Sequence, residues 1–150
     1  MAVPEKLTQT LDLLGSIADR SERIQLLIDL AGRFEEVPPR LAQRPYPETA
    51  QVPACESEAY IFPEPRPDGT LDFHFAVENP QGISAKAMAV ILDDTLSGAP
   101  LEQVAEVPSD IVYDVFGREL SMGKSMGLMG MVGMVANLAK KRVEGAGAGA

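Results

Sequence analysis

Five prolines between residues 38 and 53 decide how this 150-residue chain can be organised. Pro38, Pro39, Pro45, Pro47 and Pro53 each lack an amide donor and restrict the residue before them, so no regular helix runs through the segment. The chain is thereby split into parts with different periods. Before the prolines, Leu7, Leu11, Leu14 and Ile17, then Ile24, Leu27, Ile28 and Ala31, recur at steps of three and four, which predicts helices. Ser21 is the expected N-cap of the second run. After the prolines, Ala59 to Phe62 is short and apolar. Leu71, Phe73, Phe75 and Val77 then alternate with Asp72, His74, Ala76 and Glu78, the period-two pattern of a half-buried strand. Pro63 to Gly69, ending in Asp68-Gly69, is expected to reverse the chain between them.

The last third returns to helical spacing. Ile83 to Leu96 is one expected helix, Leu101 to Ala105 and Ile111 to Phe116 are short ones, and Ser121 to Arg142 is the last. The basic end of that last helix, Lys140-Lys141-Arg142, suits the negative pole of the helix dipole. Helices, a small antiparallel sheet and helices again predict an α+β fold rather than a βαβ one. The expected organisation is an N-terminal helical extension over 1–20, one folded domain over 21–142, and a disordered Gly/Ala tail over 143–150.

Charge and rare residues narrow the function. The formal net charge of −9 argues against general nucleic-acid binding and against binding to an anionic membrane, through self-repulsion. The nearly uncharged apolar stretch from Ser125 to Ala139 is too short to span a bilayer, so no stable membrane insertion is expected. The N-terminus lacks an apolar stretch followed by a small-residue cleavage site, and a reducing cytoplasm is the expected compartment. With one Cys, no internal disulfide can form, and a four-thiolate cluster cannot be held. With one His, a His-rich metal site is excluded. His74, on the polar side of its strand, is expected to face solvent. Asp93-Asp94 is expected to be a solvated pair, since adjacent helix residues point apart. Five of seven Met fall between Met122 and Met134, interleaved with Gly123, Gly127, Gly130 and Gly133. This is expected to be a core helix packed tightly on a neighbour; the alternative is a partner groove or a transient membrane contact.

Cys55 stands between the proline segment and the first strand. Two readings are open. A free Cys is among the most buried residue types, which makes it packing. A loop Cys is also a candidate nucleophile, because loops present reactive groups. Its neighbours Glu56 and Glu58 would disfavour a thiolate if they faced it, unless strand alternation turns them away.

The surrounding residues resemble the SufE family of sulfur acceptors in iron–sulfur cluster assembly. Val52-Pro53-Ala54-Cys55-Glu56-Ser57-Glu58-Ala59-Tyr60 is similar to the family's Val-x-Gly-Cys-x-Ser-x-Val-Trp. Leu120-Ser121-Met122-Gly123-Lys124-Ser125-Met126-Gly127-Leu128 resembles its Leu-Ser/Thr-Pro-Ser-Arg-x-x-Gly-Leu, and Ile24 to Leu30 with Gly32 resembles its first helix and turn. The resemblance spans roughly residues 20 to 140. The chain departs from the pattern at Ala54 for Gly, at Lys124 for Arg, and at Asn79-Pro80-Gln81 for an acidic segment.

The resemblance implies a SufE/NifU-like fold with a small antiparallel sheet packed on helices. It implies that Cys55 receives sulfur as a persulfide from a SufS-like cysteine desulfurase and passes it to a SufBCD-like scaffold. Ser57 and Lys124 become candidate partner-binding residues. Pyridoxal phosphate would belong to the desulfurase, with no cofactor on this chain, which would act as a sulfur-transfer partner rather than a stand-alone enzyme. Cys55 is then expected to shelter against apolar side chains and to swing out on docking. Two other functions stay open: a non-catalytic interaction domain of the same fold, and a one-Cys thiol redox protein.

Overall fold

The computed structural model describes residues 3–118 and 120–148. In chain order it comprises α1 (Glu5–Ser16), α2 (Arg20–Gly32), a 3-10 turn (Glu48–Ala50), β1 (Ala59–Pro65), β2 (Leu71–Val77), α3 (Ile83–Leu96), α4 (Leu101–Ala105), α5 (Ile111–Phe116) and α6 (Met122–Ala148). This is an α+β fold, with one antiparallel two-stranded sheet among the described residues. Leu7 and Leu14 are buried, and α1 lies against α3 and α5, so the helix expected as an extension is built into the shared core. Asp19 rather than Ser21 caps α2: its side chain accepts from the Ser21 N–H at 2.9 Å, and Ser21 falls inside the first turn. Leu27 and Ala31 turn inward from α2, whereas Ile24 and Ile28 remain exposed.

The hairpin is longer than the sequence suggested. β1 runs through Pro63 and Pro65, which pair with Phe73 and Leu71. Both prolines have the same parity as Ala59 and Ile61, whose positions turn their backbone groups away from β2. Their missing N–H groups therefore cost no ladder hydrogen bond. The reversal narrows to residues 66–70. There the Arg66 N–H donates to the Thr70 carbonyl at 2.8 Å, and Gly69 adopts φ 90°. The far edge of β2 is capped along its length. The Val37 N–H donates to Phe75, the Phe73 N–H to the Ser97 hydroxyl, and the Gly98 N–H to Leu71. These contacts blunt an edge that would otherwise template further pairing.

Phe73 and Ile61 from the sheet, Met88, Ile91 and Leu92 from α3, and Met131, Val132 and Val135 from α6 are all essentially inaccessible. Each such side chain contributes about 1.5–3 kcal/mol by leaving water. Asp93 and Asp94 are exposed, as expected; Asp94 pairs with Arg33 at 3.0 Å. α6 continues past Arg142 to Ala148, through most of the segment expected as a tail. Alanine is the best helix former, and extending an existing helix adds one hydrogen bond per residue fixed. Residues 149 and 150 of that expected tail lie outside the described residues. Among the described residues, no helix is long and apolar enough to cross a membrane.

Candidate functional site

Cys55 sits on a short loop closed at its base. The Val52 N–H donates to the Ala59 carbonyl at 2.8 Å, where the chain enters β1. Two residues in the left-handed region bracket the thiol segment: Ala54 at φ 57° and Glu58 at φ 53°. Neither is glycine, so each carries a steric cost of roughly 1–2 kcal/mol. The loop is tied to the β2–α3 turn by backbone. The Glu58 N–H donates to the Cys55 carbonyl, the Asn79 N–H to Ser57, and the Glu78 N–H to Glu58, all at 3.1 Å.

The loop lies on α6, and glycines make the approach possible. A methyl group on Gly127 would stand 3.0 Å from the Cys55 Cα and 3.4 Å from its Sγ. One on Gly130 would meet the Pro53 carbonyl and Val52 at 3.2 Å, and one on Gly123 would meet the Glu56 carboxylate at 2.7 Å. Positions 123, 127 and 130 follow steps of four and three, one face of a helix. The neighbour expected to pack on this Met/Gly helix is therefore the Cys loop itself. The Gly spacing in the sequence carried that signal, and only the absence of a named neighbour hid it. Glu56 packs beside the first turn of α6, where a negative charge is favourable.

Cys55 is half-buried and packs on the edge of the hydrophobic core. It lines a recess of about 200 Å³ with Ser57, Asn79, Ser84, Lys124 and Leu128. A second, more open depression also reaches Cys55 and Glu56, against Gln51 and Pro53. The three residues singled out from the sequence, Cys55, Ser57 and Lys124, are thus walls of one recess. Ser57 is half-buried, Lys124 is exposed, and among the described residues Lys124 has no ion-pair partner.

One other cluster has the composition of a metal site. Ligand atoms of Glu64, Asp72 and His74 lie within 4.8 Å of one another on the outer hairpin face. Arg40 forks onto both oxygens of Glu64, Arg66 donates to Asp72 at 2.6 Å, and His74 Nε2 lies 3.0 Å from Glu64 Oε1. The Arg40 hydrogen bond, followed by the His74 one, lowers the Glu64 carboxyl to about 2. Two carboxylates against two guanidiniums are already balanced, so the arrangement fits an ion-pair network better than a cation site. His74, expected to face solvent, is half-buried as a member of that network.

The family model described as "SufE: Fe-S metabolism associated domain" matches residues 8–139. The chain belongs to the SufE family. Its role therefore lies in iron–sulfur metabolism, and the match extends from α1 through most of α6, covering the Cys loop and its glycine seat. Among solved structures, this SufE-family chain is similar to one described as the solution structure of a hypothetical protein from Thermus thermophilus. The TM-score is 0.71 and the identity 23%, over 95% of this chain and 98% of the other, a likeness of fold. No curated protein matches the sequence.

Proposed function

We propose that Cys55 is a persulfide carrier that takes sulfur from a cysteine desulfurase and hands it to an iron–sulfur assembly scaffold. The observation that supports this most is the seating of the only thiol: a half-buried Cys on a strained loop at the mouth of a small recess. The donor is a SufS-like desulfurase, whose pyridoxal phosphate stays on that enzyme. The acceptor downstream is a SufBCD-like scaffold in the cytoplasm. The chain itself needs no cofactor for this step and turns over only with its partners.

The chemistry is thiol exchange. The Cys55 thiolate attacks the terminal sulfur of the donor's persulfide; a new S–S bond forms as the donor's S–S bond breaks, and the donor cysteine leaves as a thiolate. The terminal sulfur keeps its oxidation state, so no outside oxidant or reductant is needed. A second Cys within reach would attack the inner sulfur of the persulfide, Cys55 Sγ, expel the carried sulfur as sulfide and close a disulfide, and this chain has none. Lys124, an exposed cation on the recess wall, favours the Cys55 thiolate and the departing one, and Glu56 on the same wall opposes it. Ser57 holds its side of the recess through its carbonyl bond with Asn79.

Incubation with a cysteine desulfurase and free cysteine, followed by intact mass, tests the proposal. Wild type is expected to gain one or more sulfur atoms and Cys55→Ser none. Unchanged mass with retained binding would instead make the chain a non-catalytic interaction domain. Rapid sulfenic acid formation with peroxide alone would make it a thiol redox protein.

A further inference from the structure

Arg33, Arg40, Arg44 and Arg66 each sit in an ion pair, as expected on a chain of net charge −9. Lys140-Lys141-Arg142 is the densest run of positive charge in the sequence, yet none of the three forms an ion pair among the described residues. The helix dipole does not account for the run. α6 continues to Ala148 and has no basic residue in its last turn, where the dipole acts. Lys141 and Arg142 instead line an open cleft of about 1000 Å³ with Leu101, Glu102, Leu138 and Val143. The facing wall is the far end of the hairpin. Ala59, Ile61, Pro63 and Pro65 alternate along β1 and share one face of the sheet. Ala59 and Ile61 are buried on that face, whereas Pro63 and Pro65 are exposed and line the cleft with Leu71. The core side of the sheet is thus left uncovered at this end, and Leu101, Leu138 and Val143 are only half-buried. A concave apolar floor beside two unanswered cations marks an interaction site.

We propose that this cleft docks an acidic amphipathic segment of a second protein. Its apolar side chains enter between the hairpin and α6, and its carboxylates meet Lys141 and Arg142. The occupant follows from charge complementarity. Two cations stand against one carboxylate, Glu102, on the lining, so the cleft is positive on a chain that is negative overall. An acidic partner is repelled by most of the surface and attracted here, which fixes where it lands. A flat anionic bilayer would meet the repulsion without filling the cleft, whereas a helical segment sends side chains spaced by one turn into a concave apolar floor. The cleft is separate from the thiol. At about 1.5 Å of rise per residue, Lys141 lies roughly 20 Å along α6 from Gly127, which seats the Cys55 loop. The cleft and the Cys55 recess share no lining residue, so a protein docked in one leaves the other open. The proposal stands whether or not Cys55 carries sulfur.

The probe is a synthetic helical peptide with leucines along one face and glutamates elsewhere; its counterpart carries lysine for every glutamate. Binding to the full chain is followed by fluorescence anisotropy and by leucine methyl NMR shifts. The glutamate peptide is expected to move the Leu71, Leu101 and Leu138 methyls and to leave Leu128, on the Cys55 recess, in place. The lysine peptide is expected to bind about tenfold more weakly, and Lys141→Glu with Arg142→Glu to weaken the glutamate peptide by about tenfold. Both substituted side chains are exposed, and an unchanged urea midpoint checks that the fold is kept. Leu101→Ala trims the floor with every charge in place and is expected to cost about fivefold. Lys140→Glu makes the same charge change one residue off the lining and is expected to cost less than about twofold. No binding of the glutamate peptide, equal binding of the two peptides, methyl shifts only outside the cleft, or an equal loss in Lys140→Glu would each overturn the proposal. A wild-type dimer, or adhesion to phosphatidylglycerol vesicles, that disappears in the double variant would also overturn it, by giving the cleft to a second copy or to a membrane.

Discussion

The outer face of the hairpin and the Cys55 recess make an instructive pair. The hairpin face gathers the residues that look most like chemistry: two carboxylates, an imidazole and two guanidiniums within hydrogen-bond reach. Every one of them is answered by a partner on the spot. The recess and its loop gather less conspicuous residues: one thiol, a lysine and a glutamate that form no ion pair among the described residues, and two left-handed residues that are not glycine. Satisfied groups hold a fold together. Unpaired charged side chains and stored backbone strain are costs that a purely structural region would shed, and they collect around Cys55.

The sharpest way to break this contrast is to fill the seat. Gly127→Ala places a methyl group 3.0 Å from the Cys55 Cα, so backbone rather than a pliable side chain must yield. Overpacking of this kind costs about 1–3 kcal/mol, enough to shift the balance between a seated and a lifted loop by about fivefold or more. The folded variant is therefore expected to react with iodoacetamide at Cys55 at least about fivefold faster than wild type. Gly123→Ala meets only the mobile end of Glu56 and should change the rate little. Equal alkylation rates for wild type and Gly127→Ala would show that the glycine face does not hold the thiol.

A smaller effect is expected at the strained end of the loop. Ala54 occupies φ 57°, where glycine has no steric penalty. Ala54→Gly removes roughly 1–2 kcal/mol of that cost and gives back about 0.5–1 kcal/mol in unfolded-chain entropy. A net stabilisation of about 0.5–1 kcal/mol is expected from urea unfolding. A loss of stability would mean that the left-handed turn is not strained at this residue.

That strain explains what the sequence could and could not disclose. The helices, the alternating strand and the Asp68-Gly69 turn were legible because period and turn chemistry act locally. The substitution of Ala54 for the family's glycine was also visible, but its meaning was not: a residue type does not reveal its φ. The extension of β1 through Pro63 and Pro65 was hidden for a related reason, since parity relative to the partner strand decides whether a proline is tolerated. Ser21 lost the cap to Asp19 because both are good caps and helix ends are settled within a residue or two. The meeting of Cys55, Ser57 and Lys124 needed tertiary contact, although the 123–127–130 glycine spacing already outlined the surface on which it occurs. The burial of α1 and the exposure of Ile24 and Ile28 depended on which face found a partner, and periodicity alone leaves that open.

The hairpin supplies the smallest effect, and the one that separates stability from sulfur transfer. The Arg40 and His74 hydrogen bonds hold the Glu64 carboxyl at about 2, below its ordinary 4.5. A depressed carboxyl contributes stability that is present above the unfolded value and is lost as pH falls through the folded one. Wild type and Glu64→Gln should therefore differ in urea midpoint above pH 4.5, and the difference should shrink steadily between 4.5 and 2. Because the network is solvent-accessible, added salt should shrink it as well. At neutral pH, Glu64→Gln and His74→Gln should take up sulfur on Cys55 as wild type does, since nothing in the network lines the recess. A midpoint difference of the same size at pH 2.5 as at pH 6 would remove the ion-pair account of this face. Slowed sulfur uptake in either variant would instead join the two regions functionally, and the hairpin's satisfied charges would then have to be read as part of the site.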